Sequence, residues 1–284
     1  MELPTVAATM STLRLLQAQR HRIGTGFQAE GWREPVAMLD PFIMVDHFRM
    51  REAVFAPHPH AGFSAVTYLF DDSATAVISR DSLGGEYDIL PGGLHWSLAG
   101  RGLIHDEYPA DAGGEAHGLQ LFVNLPAEQK LREPAVMRLS PEQMPRRSGD
   151  GWSAVQVFGG TAELALPWPT ALAVVDVQPG ALYPLTLAAG EQGFALVVHG
   201  RGHAGDLPVA PGQAVHLAGP AAAVIEAETL LRLAVCSGRP LHEPVVRHGP
   251  FVMNDEGQIV AALQRYQTGA MGRLPARHLS NEQR

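Results

Sequence analysis

Short apolar runs alternate with turn-forming residues along the first half of the chain, at Ser64–Phe70, Thr75–Ile78, Tyr87–Leu90, His95–Leu98 and Leu119–Leu125. In Ser64-Ala65-Val66-Thr67-Tyr68-Leu69-Phe70 the period is mostly two, the spacing that puts successive side chains on opposite faces of an extended strand. Asp71-Asp72, Leu83-Gly84-Gly85 and Pro91-Gly92-Gly93 supply the turns. The second half repeats this texture at Ala154–Phe158, Leu172–Val177, Ala195–Val198, Ala222–Ile225 and Leu230–Val235, and Pro211-Gly212-Gln213-Ala214-Val215-His216 resembles Pro91-Gly92-Gly93-Leu94-His95-Trp96. Strands this frequent predict an all-β protein built as a sandwich or a barrel, and the repeated texture is consistent with a duplicated β-barrel. Between the halves, Ala127-Glu128-Gln129-Lys130-Leu131 reads as a helical turn and Pro134 to Gly149 as a polar, proline-broken stretch. The predicted organisation is therefore one barrel over residues 1–135, a linker over 136–150 and a second barrel over 151–284. One short C-terminal helix is expected over Asp255–Tyr266, where apolar residues fall at helical spacing behind an acidic first turn and Gly269 lies beyond the end.

Composition narrows the functional classes. The 284 residues carry 21 Lys+Arg against 29 Asp+Glu, a formal net charge of -8, which is the wrong sign for neutralising phosphates over an extended surface. Direct nucleic-acid binding is therefore not expected. Lys130 is the sole lysine among the basic residues, a bias read as compositional only. The single cysteine, Cys236, cannot form an internal disulfide, which fits a reducing compartment. Met1 to Arg20 contains neither a continuous apolar stretch nor a small-residue cleavage site, and no run approaches the roughly 18–20 apolar residues of a membrane span. A cytoplasmic location without membrane contact is the expectation.

Candidate chemistry begins at Pro57-His58-Pro59-His60-Ala61-Gly62-Phe63. Residues two apart on a strand share a face, so His58 and His60 can aim at one point, and each flanking proline holds the residue before it extended. His105 and Glu107 stand two apart in Leu103–Tyr108, with Ile104, Asp106 and Tyr108 on the other face. The plain alternatives are a solvated strand edge for the first pair and, for the second, a hydrogen-bonded His105 with Glu107 in solvent. Together the pairs offer three imidazoles and one carboxylate, a set suited to Fe(II), Mn(II), Ni(II), Cu(II) or catalytic Zn(II), with two positions of an octahedral ion left open.

The sequence resembles the pirins, bicupin proteins of the cupin superfamily. The resemblance runs through Leu39-Asp40-Pro41-Phe42 with Asp46-His47-Phe48, Pro57–Phe63, Ala99–Glu107, His117-Gly118-Leu119-Gln120-Leu121-Phe122-Val123-Asn124-Leu125-Pro126, and Gly249-Pro250-Phe251-Val252-Met253-Asn254. It implies two cupin-type barrels and a metal, usually Fe(II), held in the amino-terminal one by His58, His60, His105 and Glu107, the set reached from spacing. Ser64 stands where the wider cupin pattern places a glutamate ligand, and His95 where many family members place glutamine. His95, His47 and His117 are candidates to orient ligands or substrate from behind. His199, His203 and His216 form no His-x-His, so the second barrel is expected to be metal-free, and Phe63, Phe122 and Met44 are read as core.

What the resemblance implies about activity is quercetin 2,3-dioxygenase chemistry, the cleavage of a flavonol, a small phenolic substrate, with O2. Glu107 would act as the base. The alternative it implies is an iron-dependent redox sensor without turnover, whose oxidation state changes its affinity for a partner protein.

Overall fold

The computed structural model describes residues 13–162, 164–219, 222–275 and 277. The part of the amino terminus read for an export signal lies, as far as residue 12, outside them. No helix among the described residues is long and apolar enough to cross a membrane.

Strands dominate, as the period-two runs require, and they form two pairs of sheets. One seven-stranded sheet has the order Ala135–Leu139, Leu94–Leu98, Phe63–Leu69, Ala116–Asn124, Phe42–Met50, Phe27–Trp32 and Gln19–Ile23. A four-stranded sheet ordered His58–His60, Leu103–Pro109, Val77–Asp81 and Glu86–Ile89 faces it, with Thr67 of the larger sheet hydrogen-bonded to Glu107 of the smaller. The second pair repeats the plan: seven strands ordered Arg14–Gln17, Gln213–Ala218, Gln192–His199, Leu231–Gly238, Thr170–Val177, Trp152–Phe158 and Arg146–Gly149, and four ordered Leu182–Thr186, Ala222–Ala227, Gly202–Ala204 and Leu207–Val209. The pairings that frame the two interiors are antiparallel, and each pair stacks as cupin-like open sheets.

Two compact units result, and they interleave in sequence where the reading above drew consecutive blocks. One contains the segment up to Arg20, Glu30–Val45 and Glu142–His242; the other contains His21–Ala29, Asp46–Pro141 and the segment from Glu243. Residues 136–150 are largely ordered: Ala135–Leu139 adds an edge strand beside Leu94–Leu98, and Arg146–Gly149 adds one beside Trp152–Phe158. The expected turn after Pro126 is a 3-10 helix, Ala127–Gln129.

The interiors of the two units differ. In the first, Val175, Val197, Val215 and Leu233 of the larger sheet meet Tyr183, Leu185, Ala204 and Ile225 of the smaller in a continuous apolar core. In the second, the corresponding space holds His60, Thr67, Ser79, His95, Ser97, His105 and Glu107, all buried. Burying that many polar groups is unfavourable without partners. The second unit compensates elsewhere, with one apolar cluster around Phe27, Phe48, Leu69, Val77 and Ile89 and another in which the C-terminal helix packs. That helix, Glu256–Gln267, is capped by Asp255, whose side chain accepts from the Gln258 N–H. It buries Ile259 and Ala262 against Ala61, Phe251, Met253 and Met271.

Candidate metal centre

Register explains how the two histidine motifs meet. His58–His60 pairs antiparallel with Leu103–Pro109, so that His58 lies opposite His105 and His60 opposite Leu103. Alternation then turns His58, His60, His105 and Glu107 to one face, the face that looks into the interior. One nitrogen from each of His58, His60 and His105 lies within 4.8 Å of the others, and the three ring centroids are mutually 4.8 Å apart. On the opposite face Asp106, fully buried, takes two bonds from Arg80 at 2.9 and 2.6 Å, and Arg277 stacks on Tyr108 with Nε 3.3 Å from Asp106.

The glycine after the first motif fixes the loop that carries it. Gly62 has φ +86, and a Cβ there would lie 1.8 Å from the Val252 carbonyl oxygen. Its carbonyl accepts from the Lys130 ammonium at 2.8 Å, which also donates to Asn124 Oδ1 at 2.6 Å and to the Val252 carbonyl at 3.3 Å. The Val252 N–H returns a bond to Ala61 O at 3.0 Å. Lys130, which composition gave no reason to single out, thus clamps the backbone beside His60 to the strand Phe251–Met253.

The imidazoles are neutral donors. Burial lowers the pKa of His60 to about 3, with His58 beside it adding to the effect, and drives His105 well below its ordinary value. His58 is lowered by burial too, and its Nδ1 lies 2.9 Å from Ala56 O, so Nδ1 carries the hydrogen and Nε2 keeps its lone pair. Nδ1 of His105 is buried with no hydrogen-bond partner among the described residues. Three neutral imidazoles converging on one point fit a divalent transition ion.

Glu107 is 8% exposed, which excludes the alternative that left it in solvent. Burial pushes its pKa up to about 7 against the opposing pull of hydrogen bonds from Thr67 and Ser79. Thr67 Oγ1 lies 3.0 and 2.8 Å from the two carboxylate oxygens, and Glu107 stands outside the three-histidine cluster, turned to that hydroxyl. Phe63 and Phe122 flank His60 with ring centroids 5.1 and 5.2 Å away, an aromatic wall on one side. Asp81, directly opposite His105, closes its hairpin by accepting from the N–H groups of Leu83 and Gly85.

Of the remaining histidines, His95 faces the interior, with Nε2 3.2 Å from Ser79 Oγ and 3.1 Å from Ser97 Oγ. His47 and His117 do not join the cluster. Their Nε2 atoms lie 2.7 Å from each other, and His117 Nδ1 lies 2.8 Å from Asp72. Alternation explains this, since His117 is three residues from the inward-facing Gln120 and so projects from the other face of its strand.

A pair of stacked antiparallel sheets repeated along the chain, with histidines converging on the inner face of one pair, defines a double cupin. Family models agree: one described as "Pirin" matches residues 19–123 and one described as "Pirin C-terminal cupin domain" matches residues 172–272. A pirin-like protein of Solanum lycopersicum is 32% identical over 268 residues, 91% of this chain and 91% of the relative. A Pseudomonas aeruginosa protein provisionally named quercetin 2,3-dioxygenase is 34% identical over 251 residues, 82% of this chain and 87% of the relative. Among solved structures, a quercetin 2,3-dioxygenase from Acinetobacter baumannii has a TM-score of 0.85 at 24% identity, covering 94% of this chain and 100% of that one. The Escherichia coli pirin in complex with nickel(II) has a TM-score of 0.65 at 15% identity, covering 81% and 100%. The chain belongs to the pirin family.

Proposed function

We propose that the chain is a cytoplasmic metal-dependent dioxygenase that cleaves quercetin or a related flavonol with O2, using Fe(II) held by His58, His60, His105 and Glu107. The observation that carries this reading is the convergence of three neutral imidazoles on one buried face, with a carboxylate on the same face. Kinship to a relative and a fold neighbour named for quercetin 2,3-dioxygenase supports the substrate class. Mn(II), Ni(II), Cu(II) or Zn(II) would suit the same donors.

When bound, the ion would supply Lewis acidity toward the flavonol hydroxyl, while the electrons that reduce O2 come from the flavonol itself. The protein's own part is positional and protonic. Glu107, on the same inner face as the three histidines, is the carboxylate placed to take the hydroxyl proton, and Thr67 steadies it from 2.8 Å. The Ala56 carbonyl orients the His58 ring, and Phe63 and Phe122 back the His60 ring with apolar side chains. Anaerobically Fe(II)-loaded protein, mixed with quercetin and then O2, is expected to release one carbon monoxide and one depside per O2 consumed. Release of hydrogen peroxide in place of carbon monoxide at full iron occupancy would overturn the reading.

A further inference from the structure

The three histidines come from two segments that meet along a strand of only three residues. His58 opens that strand opposite His105 and is half-buried, whereas His60 and His105 are 4% and 3% exposed. The end residue of so short a strand is the one that frays first. Ahead of it, residues 53–57 belong to no strand or helix, and within them the Ala56 carbonyl accepts the His58 Nδ1 hydrogen at 2.9 Å. How firmly His58 is aimed therefore depends on what holds this segment. Val54 and Phe55 rest their side chains on the apolar cluster around Phe27 and Phe48, which leaves the backbone carbonyls to be accounted for.

The guanidinium of Arg277 reaches them. Its Nη2 donates to the Phe55 carbonyl at 3.2 Å and to that of Ala53 at 3.5 Å. Its Nε lies 3.3 Å from Oδ2 of Asp106, the residue between His105 and Glu107, and its carbon sits 4.2 Å from the centre of the Tyr108 ring on the same outer face. One side chain thus touches both the approach to His58 and the strand of His105, from the side of the sheet that the histidines do not face. Neutralising Asp106 does not require it. Arg80, opposite Asp106 in register, already makes two bonds to that carboxylate at 2.9 and 2.6 Å, a complete bidentate pair. What a second guanidinium adds is its hold on the two carbonyls. The segment that brings Arg277 here is itself fastened along the sheet, with Met271 O accepting from Ser82 Oγ at 2.7 Å and Pro275 O from Arg80 Nη2 at 3.4 Å.

We infer that Arg277 is a positioning residue for the metal centre: by bridging Asp106 and the Phe55 carbonyl it fixes the segment before His58 against the strand of His105, and so keeps His58 aimed at the point the three imidazoles share. The inference rests on the reading of His58 and His105 as ligands of one ion.

Calorimetric titration of the full metal-free chain with Ni(II), which is stable in air, tests this together with the imidazole nitrogen NMR signals of His58. Arg277→Ala is expected to weaken affinity by about ten-fold, the lower end of the range for groups that orient a ligand. Charge alone predicts the reverse, because deleting a cation near the site favours the arrival of another. In the metal-free variant the His58 signals are expected to move from a single tautomer with Nδ1 protonated toward the average of two, while those of His60 stay in place, a local change that a general loss of stability does not give. Arg277→Lys keeps a charge beside Asp106 and loses the second arm of the fork, so it is expected to behave as Arg277→Ala does. Wild-type or tighter affinity in Arg277→Ala, or weaker affinity with the His58 signals unmoved, would overturn the role of Arg277. Should Arg277→Ala fail to fold, the same readings on Arg277→Lys decide it. His58→Ala addresses the underlying reading: wild-type affinity there removes His58 from the ligand set, whereas weakened affinity there beside an unchanged Arg277→Ala leaves the ligand set standing and rejects only the bridge.

Discussion

Replacing Lys130 with methionine keeps the volume of the side chain and deletes its ammonium. In the wild type that group is 1% exposed and serves three acceptors, Asn124 Oδ1, Gly62 O and Val252 O. Leaving three buried acceptors without a donor costs about 1–3 kcal/mol each. Opposing this is the relief of a buried charge. Burial lowers the Lys130 pKa from 10.5 to about 8, and at about 1.4 kcal/mol per unit the charge itself costs about 3 kcal/mol at neutral pH. The net expectation for Lys130→Met is a loss of about 3 kcal/mol, read as a shift of the urea midpoint at unchanged m-value. The pH dependence has a definite sign. Between pH 8 and 10.5 the unfolded chain holds a proton that the folded chain has shed, so stability of the wild type rises with pH in that window. The variant lacks this gain, and its deficit is expected to widen from pH 8 to 9.5. A deficit under about 0.5 kcal/mol at pH 7, the range of an ordinary surface change, or one that narrows as pH rises, would refute the clamp.

Three further outcomes are expected. Gly62→Ala, whose Cβ would meet the Val252 carbonyl, should destabilise far more than Gly84→Ala, where φ is +92 but nothing lies within 4 Å; equal midpoints in urea would contradict the close approach. Metal-free protein should lose stability as pH falls below about 6.5. His60 and His47 have folded pKa values lowered to about 3, so the unfolded state takes up protons first, at about 1.4 kcal/mol per pH unit for each group; a urea midpoint constant from pH 6.5 to 4.5 would count against burial of these rings. Ni(II) at about 100 times its Kd should stabilise the wild type by about 2.7 kcal/mol and His60→Ala negligibly, by differential scanning calorimetry; equal shifts would move the site elsewhere.

The three-histidine cluster was legible in the sequence because strands have a period of two. His58 with His60, and His105 with Glu107, could be assigned to shared faces from spacing alone, and the antiparallel register then opposed His58 to His105. Spacing says which face a residue takes and not what it meets across the interior. The contacts of Thr67 with Glu107, of Ser79 with His95, and of His47 with His117 join residues 40, 16 and 70 positions apart, and nothing local encodes them. Chain order misled in the same way. Arg14–Gln17 pairs with Gln213–Ala218, and the C-terminal helix packs with Ala61, because a strand edge and an apolar face are completed by whichever segment fits. Lys130 was invisible for another reason: one lysine in an arginine-rich chain looks like composition, and its meaning lies in three oxygens, two of them 68 and 122 positions away.

The most direct test of the central claim is oxygen uptake on adding quercetin to preparations loaded anaerobically to graded Fe(II) contents, with His58→Ala treated identically and metal content measured on each sample. Uptake that rises in proportion to bound iron and is absent, together with the iron, from His58→Ala is the result expected. Full iron occupancy without uptake would contradict the dioxygenase reading, and full uptake in His58→Ala would contradict the site.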